Sequence, residues 1–456
     1  VLTMYQVGFA RGSIVTYDFT PSGNIVNVRI TYNKPQAVAK GWLNYIDVNV
    51  RRNLNFNGGQ MAFRDKNSVF SNSYANFNIN SSNNIQVWDV TDHFNVEAKT
   101  VVNNGASKSF IGTSNELKEY IAFNSYDSLN VFPKGTVSNQ NLHALSNVDM
   151  VIVSHPNFLN ASNSLKSIHS AEGLSVEVVT PQQIYNEFSS GAQDPIAIRS
   201  LLKMLYDRAT IPDELPKYLL IFGDASYDFK DRINGNTNYV MSFQSKNSLD
   251  PVSSYVSDDY FVLLDDDEGE WRNTSINPDK MDVSVGRFPV QTIEEANAMV
   301  QKVQSYYASN SLGDWRNTIT FVGDDGDGVT HMAQSNQLSQ MVALNAKDKN
   351  LNKVFLDAFQ RISTATGPRF PDANEAIRRS VDNGSLIVNY TGHGGETGWA
   401  HERVLDIATI TGWNNLQNLP LFMTATCEFS RFDDPLRTSA GELVLLNPNG
   451  GGVALM

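Results

Sequence analysis

The chain has 456 residues, of which 41% are hydrophobic and 18% are charged, with 35 Lys and Arg residues against 48 Asp and Glu residues. The net charge of −13 argues against a nucleic-acid-binding protein, which needs a basic face for phosphate, and against polybasic attachment to anionic lipid. The single cysteine, Cys427, excludes disulfides within the chain and a cysteine-based zinc cluster. No stretch approaches the ~20 consecutive apolar residues of a transmembrane helix.

Both ends of the sequence are abrupt. Val1 begins without a basic and apolar leader, so we interpret any signal peptide as removed or outside the sequence. Residues 450–456 are typical of a turn followed by the first residues of an apolar strand, whose bare edge would invite pairing. We therefore expect further sequence beyond Met456.

Residues 1–147 predict an all-β, sandwich-like domain. Apolar and polar residues alternate in Ile25–Tyr32, Ile46–Val50 and Ile85–Val90, and turns rich in Asn, Ser and Gly separate these segments. Such alternation is typical of antiparallel strands with one solvated face. Both a docking module and a structural extension fit this pattern. Because nothing catalytic stands out, the structural interpretation is favoured.

After residue 147, apolar strands alternate with helical segments. The predicted strands are Met150–Val153, Val176–Val179, Tyr218–Phe222, Ile319–Val322, Lys353–Leu356, Ser385–Asn389 and Leu421–Thr424. Capping signals at Asp194 and Thr292 predict the starts of two helices. This alternation predicts mostly parallel sheets covered by helices, in an α/β subdomain at residues 148–313 and another at residues 314–456.

Two of the predicted strands end in reactive side chains. One leads into Gly392-His393-Gly394, and the next leads to Cys427. The segment between them is long enough for one right-handed crossover between parallel strands. Because the carboxyl ends of adjacent parallel strands meet at one edge of a sheet, we expect His393 and Cys427 to lie side by side.

A histidine and a cysteine side by side indicate a particular kind of catalysis. An imidazole stabilises the thiolate of a nearby cysteine and can protonate a leaving amine. The backbone N–H groups of Gly394 and Cys427 would form an oxyanion hole beside them. Taken singly, a cysteine at a strand end is usually a small buried hydrophobe and a histidine in a glycine turn is usually structural. Their joint position favours acyl transfer by a Cys427–His393 dyad.

The other histidines are weaker candidates. His401 lies close to His393 in the sequence and is a second candidate base. The remaining ones that we interpret as structural are His93, His143, His155 and His169.

Several segments carry a resemblance to a known family. Tyr390–Thr397 and Ala425–Phe429 resemble the active-site signature of the gingipain-type cysteine peptidases, which have a caspase-like fold of two α/β subdomains side by side. The sequence is similar in particular to one branch of that family, the carboxyl-terminal signal peptidases (sortases) of the bacterial type IX secretion system. The segments similar to this branch are Phe222–Asp228, Ser254–Tyr260, Gly286–Pro289, Gly394–Val404 and Cys427–Pro435. The resemblance implies that His393 and Cys427 are the catalytic pair.

The resemblance also implies that a carboxylate supports the histidine. In gingipains it comes from the loop that corresponds to residues 319–328, so its counterpart here lies within Asp324-Asp325-Gly326-Asp327, and our prediction is Asp325. A solvated acidic turn and a cation site are the alternatives. Arginine-specific gingipains carry an aspartate that lines the S1 pocket just beyond this turn. This sequence reads Val329-Thr330-His331-Met332 there, so arginine specificity is not expected.

The resemblance implies a surface enzyme of a Gram-negative bacterium, held at the outer membrane through a barrel partner, PorV. Such an enzyme would remove the carboxyl-terminal sorting domain of secreted cargo through a thioester on Cys427. It would then pass the cargo to an amine of a lipopolysaccharide-type acceptor. Two alternatives stay open, namely a plain gingipain-like endopeptidase and a catalytically silent binding scaffold.

This chemistry requires no cofactor, but one acidic stretch is a candidate Ca²⁺ site. It contains Asp265, Asp266 and Asp267, and Ca²⁺ takes about six to eight oxygen ligands. The spacing does not follow the EF-hand pattern, and acidic runs are more often solvated loops. The solvated loop is therefore favoured over a structural Ca²⁺ site.

Overall fold

The computed structural model describes residues 13–23, 25–71, 73–124, 132–133, 135–245, 254–269 and 279–456. Val1, on which the expectation about a leader was based, lies outside these residues. The contacts divide the chain into one compact unit of residues 16–138 and another that contains residues 139–456. Among the described residues, no helix combines the length and the apolar character needed to cross a membrane.

The unit of residues 16–138 contains two antiparallel sheets. Its strands are β1 (Gln60–Phe63), β2 (Tyr74–Asn80), β3 (Gln86–Asp89), β4 (Glu97–Lys99), β5 (Val102–Asn104), β6 (Ser107–Thr113) and β7 (Tyr120–Phe123). The strand orders are β1-β7-β3-β4 and β2-β6-β5. Ile79 and Phe110 from the second sheet share one buried cluster with Val87 and Ala122 from the first. Residues of β1, β2, β3, β6 and β7 therefore fill one core, as predicted for the amino-terminal region.

Two strand predictions in this unit are wrong. Ile25–Tyr32 and Ile46–Val50 form no strand, and their apolar residues are exposed. The prediction for Ile85–Val90 is confirmed by β3. Alternation stabilises a strand only where a neighbouring strand supplies backbone partners and an apolar face, and within the described residues the first two segments have neither.

The unit that contains residues 139–456 has two mostly parallel sheets. The first sheet has the strand order β13-β10-β8-β9, and all its pairs are parallel. Its strands and the adjoining elements are β8 (Met150–Ser154), α1 (Leu159–Ala171), β9 (Val176–Val179), α2 (Pro181–Phe188), α3 (Pro195–Arg208), β10 (Tyr218–Phe222), β11 (Phe243–Gln244), β12 (Val256–Ser257), β13 (Ser284–Phe288) and α4 (Ile293–Tyr307). The Asp194 carboxylate caps α3, and Thr292 and Glu295 form a capping box at α4. Both helices begin where the sequence predicted.

The second sheet has the order β15-β14-β18-β22-β23, and its neighbouring strands are also parallel. The elements of this part are β14 (Thr318–Gly323), α5 (Thr330–Asn345), β15 (Asn350–Phe355), β16 (Ile362–Thr364), β17 (Gly367–Arg369), α6 (Pro371–Asp382), β18 (Ile387–Thr391), β19 (Gly394–Gly395), β20 (Gly398–Trp399), β21 (Leu405–Asp406), α7 (Ile407–Thr411), β22 (Leu421–Ala425), α8 (Ala440–Leu446) and β23 (Ala454–Leu455). Right-handed crossovers place helices against such sheets and direct the strand ends to one edge.

A buried lysine joins the helices of the two sheets. Lys302 lies on α4 and is 1% exposed, and its Nζ donates to the carbonyl oxygens of Val444 (3.2 Å) and Leu445 (2.5 Å) in α8. Burial lowers the pKa of Lys302 to about 7. The carboxyl end of a helix presents unpaired carbonyls with partial negative charge, which suits an ammonium donor. The contact therefore fixes α8, the helix that follows Cys427, to α4, the helix that follows the last strand of the first sheet.

Candidate active site

The strand register brings His393 and Cys427 to the same edge of the second sheet. Thr391 at the end of β18 pairs with Ala425 at the end of β22. The ladder continues one residue further, because the N–H of Gly392 donates to the carbonyl of Ala425 at 3.2 Å. His393 and Cys427 each follow two residues after that last pair. This juxtaposition is the one that the sequence predicted.

The backbone after His393 packs closely against the residue before Cys427. A Cβ atom at Gly394 would lie only 2.4 Å from Thr426 Oγ1, so this approach requires glycine. Immediately after Cys427, Glu428 has a φ of 51°, a left-handed conformation that non-glycine residues adopt infrequently. The turn is therefore sharp, and Cys427 is exposed at its start.

A partly buried glutamate connects the two loops. The carboxylate of Glu396, in the hairpin after His393, binds Arg431 (3.1 Å) and Arg437, both in the segment after Cys427. Its side chain is only 12% exposed, and its backbone carbonyl accepts a hydrogen bond from the N–H of Ala440 at 2.7 Å. These contacts hold the histidine loop and the cysteine loop together. Sequence reasoning did not assign a role to Glu396 or its two arginines.

The acidic turn after β14 supports His393 from the other side. Asp324 is 1% exposed, and its Oδ2 accepts a hydrogen bond from the backbone N–H of His393 at 2.9 Å. Asp327 reaches the ring itself, with its Oδ2 3.1 Å from His393 Nε2. A Cβ atom at Gly326 would lie 2.9 Å from the imidazole, so the turn lies directly against the ring. One carboxylate thus fixes the backbone of the histidine, and another contacts its side chain.

Asp325, the residue predicted to support the histidine, is not brought to the ring in the described structure. Its carboxylate lies instead with those of Asp324 and Glu402, and Arg361 binds Glu402 at 2.8 Å. Burial raises the pKa of Asp325, and the negative charges of Glu402 and Asp324 raise it further. The turn changes direction after Asp325 and passes through a φ of 55° at Asp327, which presents the later carboxylate to His393. The sequence indicated the correct turn, but the ring contacts a residue two positions later.

The two backbone N–H groups predicted to form an oxyanion hole are not used elsewhere in the described structure. Gly394 pairs with Trp399 in the β19–β20 hairpin. Because the Ala400 N–H donates to the His393 carbonyl, this is a non-hydrogen-bonded pair, and the Gly394 N–H points away from the hairpin. Among the described residues, no backbone carbonyl accepts the N–H of Cys427, and the Cys427 thiol makes no hydrogen bond to His393.

Two further histidines surround His393. The ring of His401 lies 5.2 Å from that of His393, and the ring of His331, on α5, lies 5.1 Å away. His331 Nε2 also lies 3.3 Å from Asp327 Oδ2.

Among the histidines interpreted as structural, His143 binds Glu187 at 2.7 Å, and burial lowers the pKa values of His155 and His169.

The candidate Ca²⁺ residues are only partly brought together. Asp265 lies in a cluster with Glu268 and Asp282, whereas Asp266 forms an ion pair with Lys203 at 2.8 Å. Within the cluster, backbone N–H groups donate to Glu268 and Asp282. Asp267 is not a member of the cluster. Lys203 and backbone N–H groups of the protein therefore already bind several carboxylates of this acidic loop.

Comparisons with known proteins agree with this architecture. The family model for peptidase family C25 matches residues 143–456. The structure is similar to the Arg-specific cysteine proteinase gingipain R (RgpB), with a TM-score of 0.51 and 16% sequence identity over 68% of this chain and 62% of that chain. It is also similar to RgpB in a complex of its pro- and mature domains from Porphyromonas gingivalis, with a TM-score of 0.50, 16% identity and coverage of 67% and 63%.

A further similar structure is that of dimeric latent PorU from Porphyromonas gingivalis. It has 29% sequence identity over 57% of this chain and 26% of that chain, with a TM-score of 0.47. The chain therefore spans about a quarter of the length of the PorU structure and less than two thirds of that of gingipain R. No curated protein matches this chain.

The fold and the family match define a cysteine peptidase of the gingipain type, with a caspase-like α/β fold. The chain belongs to peptidase family C25. The predicted family and fold class are thereby confirmed.

Proposed function

We propose that the chain is a cysteine-dependent acyl transferase, in which Cys427 is the nucleophile and His393 the acid and base. The observation that carries this proposal is the register of β18 and β22, which sets the two residues at equivalent positions beyond the same strand ends. Asp327 occupies His393 Nε2, so Nδ1 is the ring nitrogen left to exchange a proton with the thiol. Catalytic hydrogen bonds often tighten only when substrate is bound, which fits a thiol and an imidazole that are not yet bonded.

The residues would act in a fixed order. The Cys427 thiolate attacks the scissile carbonyl carbon, and the developing oxyanion is stabilised by the Gly394 and Cys427 N–H groups. The imidazolium of His393 then gives its proton to the departing amine, which leaves a thioester on Cys427. In the second half, neutral His393 takes a proton from the incoming nucleophile, which attacks the thioester and releases the thiol. An amine nucleophile yields transfer, and water yields hydrolysis.

The substrate proposal follows the sequence resemblance to the type IX secretion sortases. The enzyme removes the carboxyl-terminal sorting domain of secreted cargo and passes the cargo to an amine of a lipopolysaccharide-type acceptor at the cell surface. Association with the barrel protein PorV at the outer membrane belongs to the same proposal. His331 stands just beyond the turn where arginine-specific gingipains carry an S1 aspartate, and this difference supports a specificity other than arginine.

The test uses a peptide electrophile that reacts with thiols, followed by turnover of a cargo carrying its sorting domain. We expect labelling of Cys427 in the native protein, weak labelling in His393→Ala and none in Cys427→Ala. All three proteins should have the same melting temperature, because both side chains are solvent-accessible. A folded native protein that remains unlabelled would favour the silent scaffold.

Mass analysis of the new carboxyl end then separates the transferase from the endopeptidase. With an amine acceptor present, the transferase forms an amide to that amine. A product with only a free carboxylate would favour the plain endopeptidase.

A further inference from the structure

Three side chains from different segments form a cluster beside the proposed active site. They are Asp327 from the acidic turn, His331 from the first turn of α5, and His393 from the loop after β18. One carboxylate oxygen, Asp327 Oδ2, lies 3.1 Å from His393 Nε2 and 3.3 Å from His331 Nε2. The three atoms all lie within 4.8 Å of one another. The cluster therefore contains two imidazole nitrogens and one carboxylate oxygen.

These separations match a tetrahedral metal site. Zinc binds histidine nitrogen and carboxylate oxygen at about 2.0–2.2 Å, so two of its ligand atoms in a tetrahedron lie about 3.3–3.5 Å apart. The distances from Asp327 Oδ2 to His393 Nε2 and to His331 Nε2, 3.1 and 3.3 Å, are close to that spacing. Three protein ligands leave a fourth position for water. Imidazole ligands favour zinc over calcium and magnesium, which prefer oxygen alone.

The surroundings also suit an ion that enters from solvent. The side chains of His331, His393 and Asp327 are 21%, 39% and 62% exposed, so the cluster opens outwards. His331 Nε2 is itself buried, and no described residue forms a hydrogen bond with it. It lies 3.3 Å from the carboxylate oxygen that also contacts His393. A cation between the three atoms would replace two imidazole–carboxylate contacts with three metal–ligand bonds.

We propose that Asp327, His331 and His393 bind one Zn²⁺ ion, and that the bound ion switches the enzyme off. The ion would occupy Nε2 of His393, withdraw Asp327 from its contact with the ring, and place a positive charge beside the imidazole. A cation there opposes the imidazolium that must protonate the leaving amine. Only this inhibitory consequence depends on the proposed function, because the binding itself depends on the three side chains alone.

The binding test uses Cys427→Ala protein, which lacks the thiol that would otherwise compete for zinc. Calorimetric titration with ZnCl₂ should show one site per chain. In the same background, His331→Gln should raise the dissociation constant for zinc more than ~10-fold. Losing a residue that only supports a metal ligand already costs about that much, and His331 is proposed as a ligand itself. His401→Gln is the matched control, because it also removes a histidine beside His393 but is outside the three converging atoms. It should bind zinc as tightly as the Cys427→Ala parent.

Several results would overturn the proposal. One is zinc binding by the native protein that vanishes in Cys427→Ala. Another is an equal zinc affinity of the Cys427→Ala parent and of His331→Gln. The third is a loss of zinc affinity in His401→Gln as large as that in His331→Gln. Inhibition is measured separately, with each protein compared with its own zinc-free rate. The zinc concentration that halves this rate should rise at least ~10-fold in His331→Gln with Cys427 intact. If calorimetry shows the site but no variant has any turnover, the proposed function fails and the metal site stands.

Discussion

The two parallel sheets of residues 139–456 share a topology but differ at the carboxyl ends of their strands. In the first sheet, Arg287 of β13 donates to the carbonyl of Gly223, just after β10, at 2.6 Å and pairs with Asp258 at 2.7 Å. The Arg287 and Asp258 side chains are 5% and 9% exposed, so these ends are filled. In the second sheet, the corresponding ends carry exposed Cys427 and a His393 side chain that is 39% exposed.

This difference shows that the topology alone does not make an active site. Both sheets bring strand ends to one edge, which is where α/β proteins place ligands. The first edge is closed by a buried ion pair, and the second carries exposed side chains. Substitutions at the first edge should therefore change the free energy of unfolding, and those at the second should change turnover.

The largest effect is expected from Arg287→Met. Removing one partner of a buried ion pair leaves the Asp258 carboxylate uncompensated, which typically costs about 3–5 kcal/mol of stability. Denaturant unfolding should show this loss, while kcat/KM per folded molecule stays close to that of the native protein. A loss of turnover without a loss of stability would contradict the division between the two edges.

The next effect is expected from Asp327→Asn, and it tests whether Asp327 or Asp325 supports His393. Asp327→Asn removes the negative charge beside His393 Nε2, so we expect kcat/KM to fall roughly 10–100-fold, less than the ~10⁴-fold typical of a buried orienting aspartate. The smaller figure reflects the 62% exposure of this side chain. Asp325→Asn is the matched control and should change kcat/KM less. A larger loss in the control would restore Asp325 as the supporting residue.

A pH-dependent effect is expected where the two sheets meet. Glu442 in α8 is 2% exposed, and burial, together with the nearby charge of Asp224, raises its pKa to about 8 from 4.5. Between these values the unfolded chain releases a proton that the folded chain keeps, so the free energy of unfolding falls as the pH rises.

Glu442→Gln keeps an acceptor for the Ser439 N–H and cannot ionise. Relative to native protein, its stability should rise from pH 5 to pH 8, by about 3 kcal/mol. Parallel stability curves for the two proteins would show that Glu442 does not keep its proton.

The smallest effect is expected at the acidic loop. Lys203 and backbone N–H groups already bind its carboxylates, so a calcium chelator should leave the melting temperature unchanged. Thermal unfolding with and without EDTA measures this directly. A clear decrease that added Ca²⁺ reverses would contradict this expectation and establish a structural calcium site in the protein.

Local sequence signals predicted the parts of the fold that depend on local chemistry. Val176–Val179 and Tyr218–Phe222 are predominantly apolar runs, and both coincide with the observed strands. The parallel order then follows from the helices between them. β13 was not predicted, because Ser284–Phe288 contains a glycine and an arginine whose roles depend on distant partners.

In the candidate active site, too, the sequence predicted what depends on local signals and missed what depends on distant partners. His393 and Cys427 were predicted because each ends a strand, and strand neighbours can be inferred from the topology. Asp327 was not distinguished from Asp325, because the difference depends on positive φ values within one turn. Glu396 bridges two loops that are distant in sequence, so only its position after the glycines of the histidine loop hinted at a role.

The Lys302 contact has a consequence for the integrity of the chain. It joins Lys302 to residues 142 and 143 positions later in the chain, so the bonded residues lie on either side of the connection between the two sheets. A proteolytic cut in Ser309–Asn317 would therefore yield two fragments held in register by a buried ammonium group and its carbonyl acceptors. Such a nicked molecule should migrate as one particle in gel filtration and separate only in denaturant.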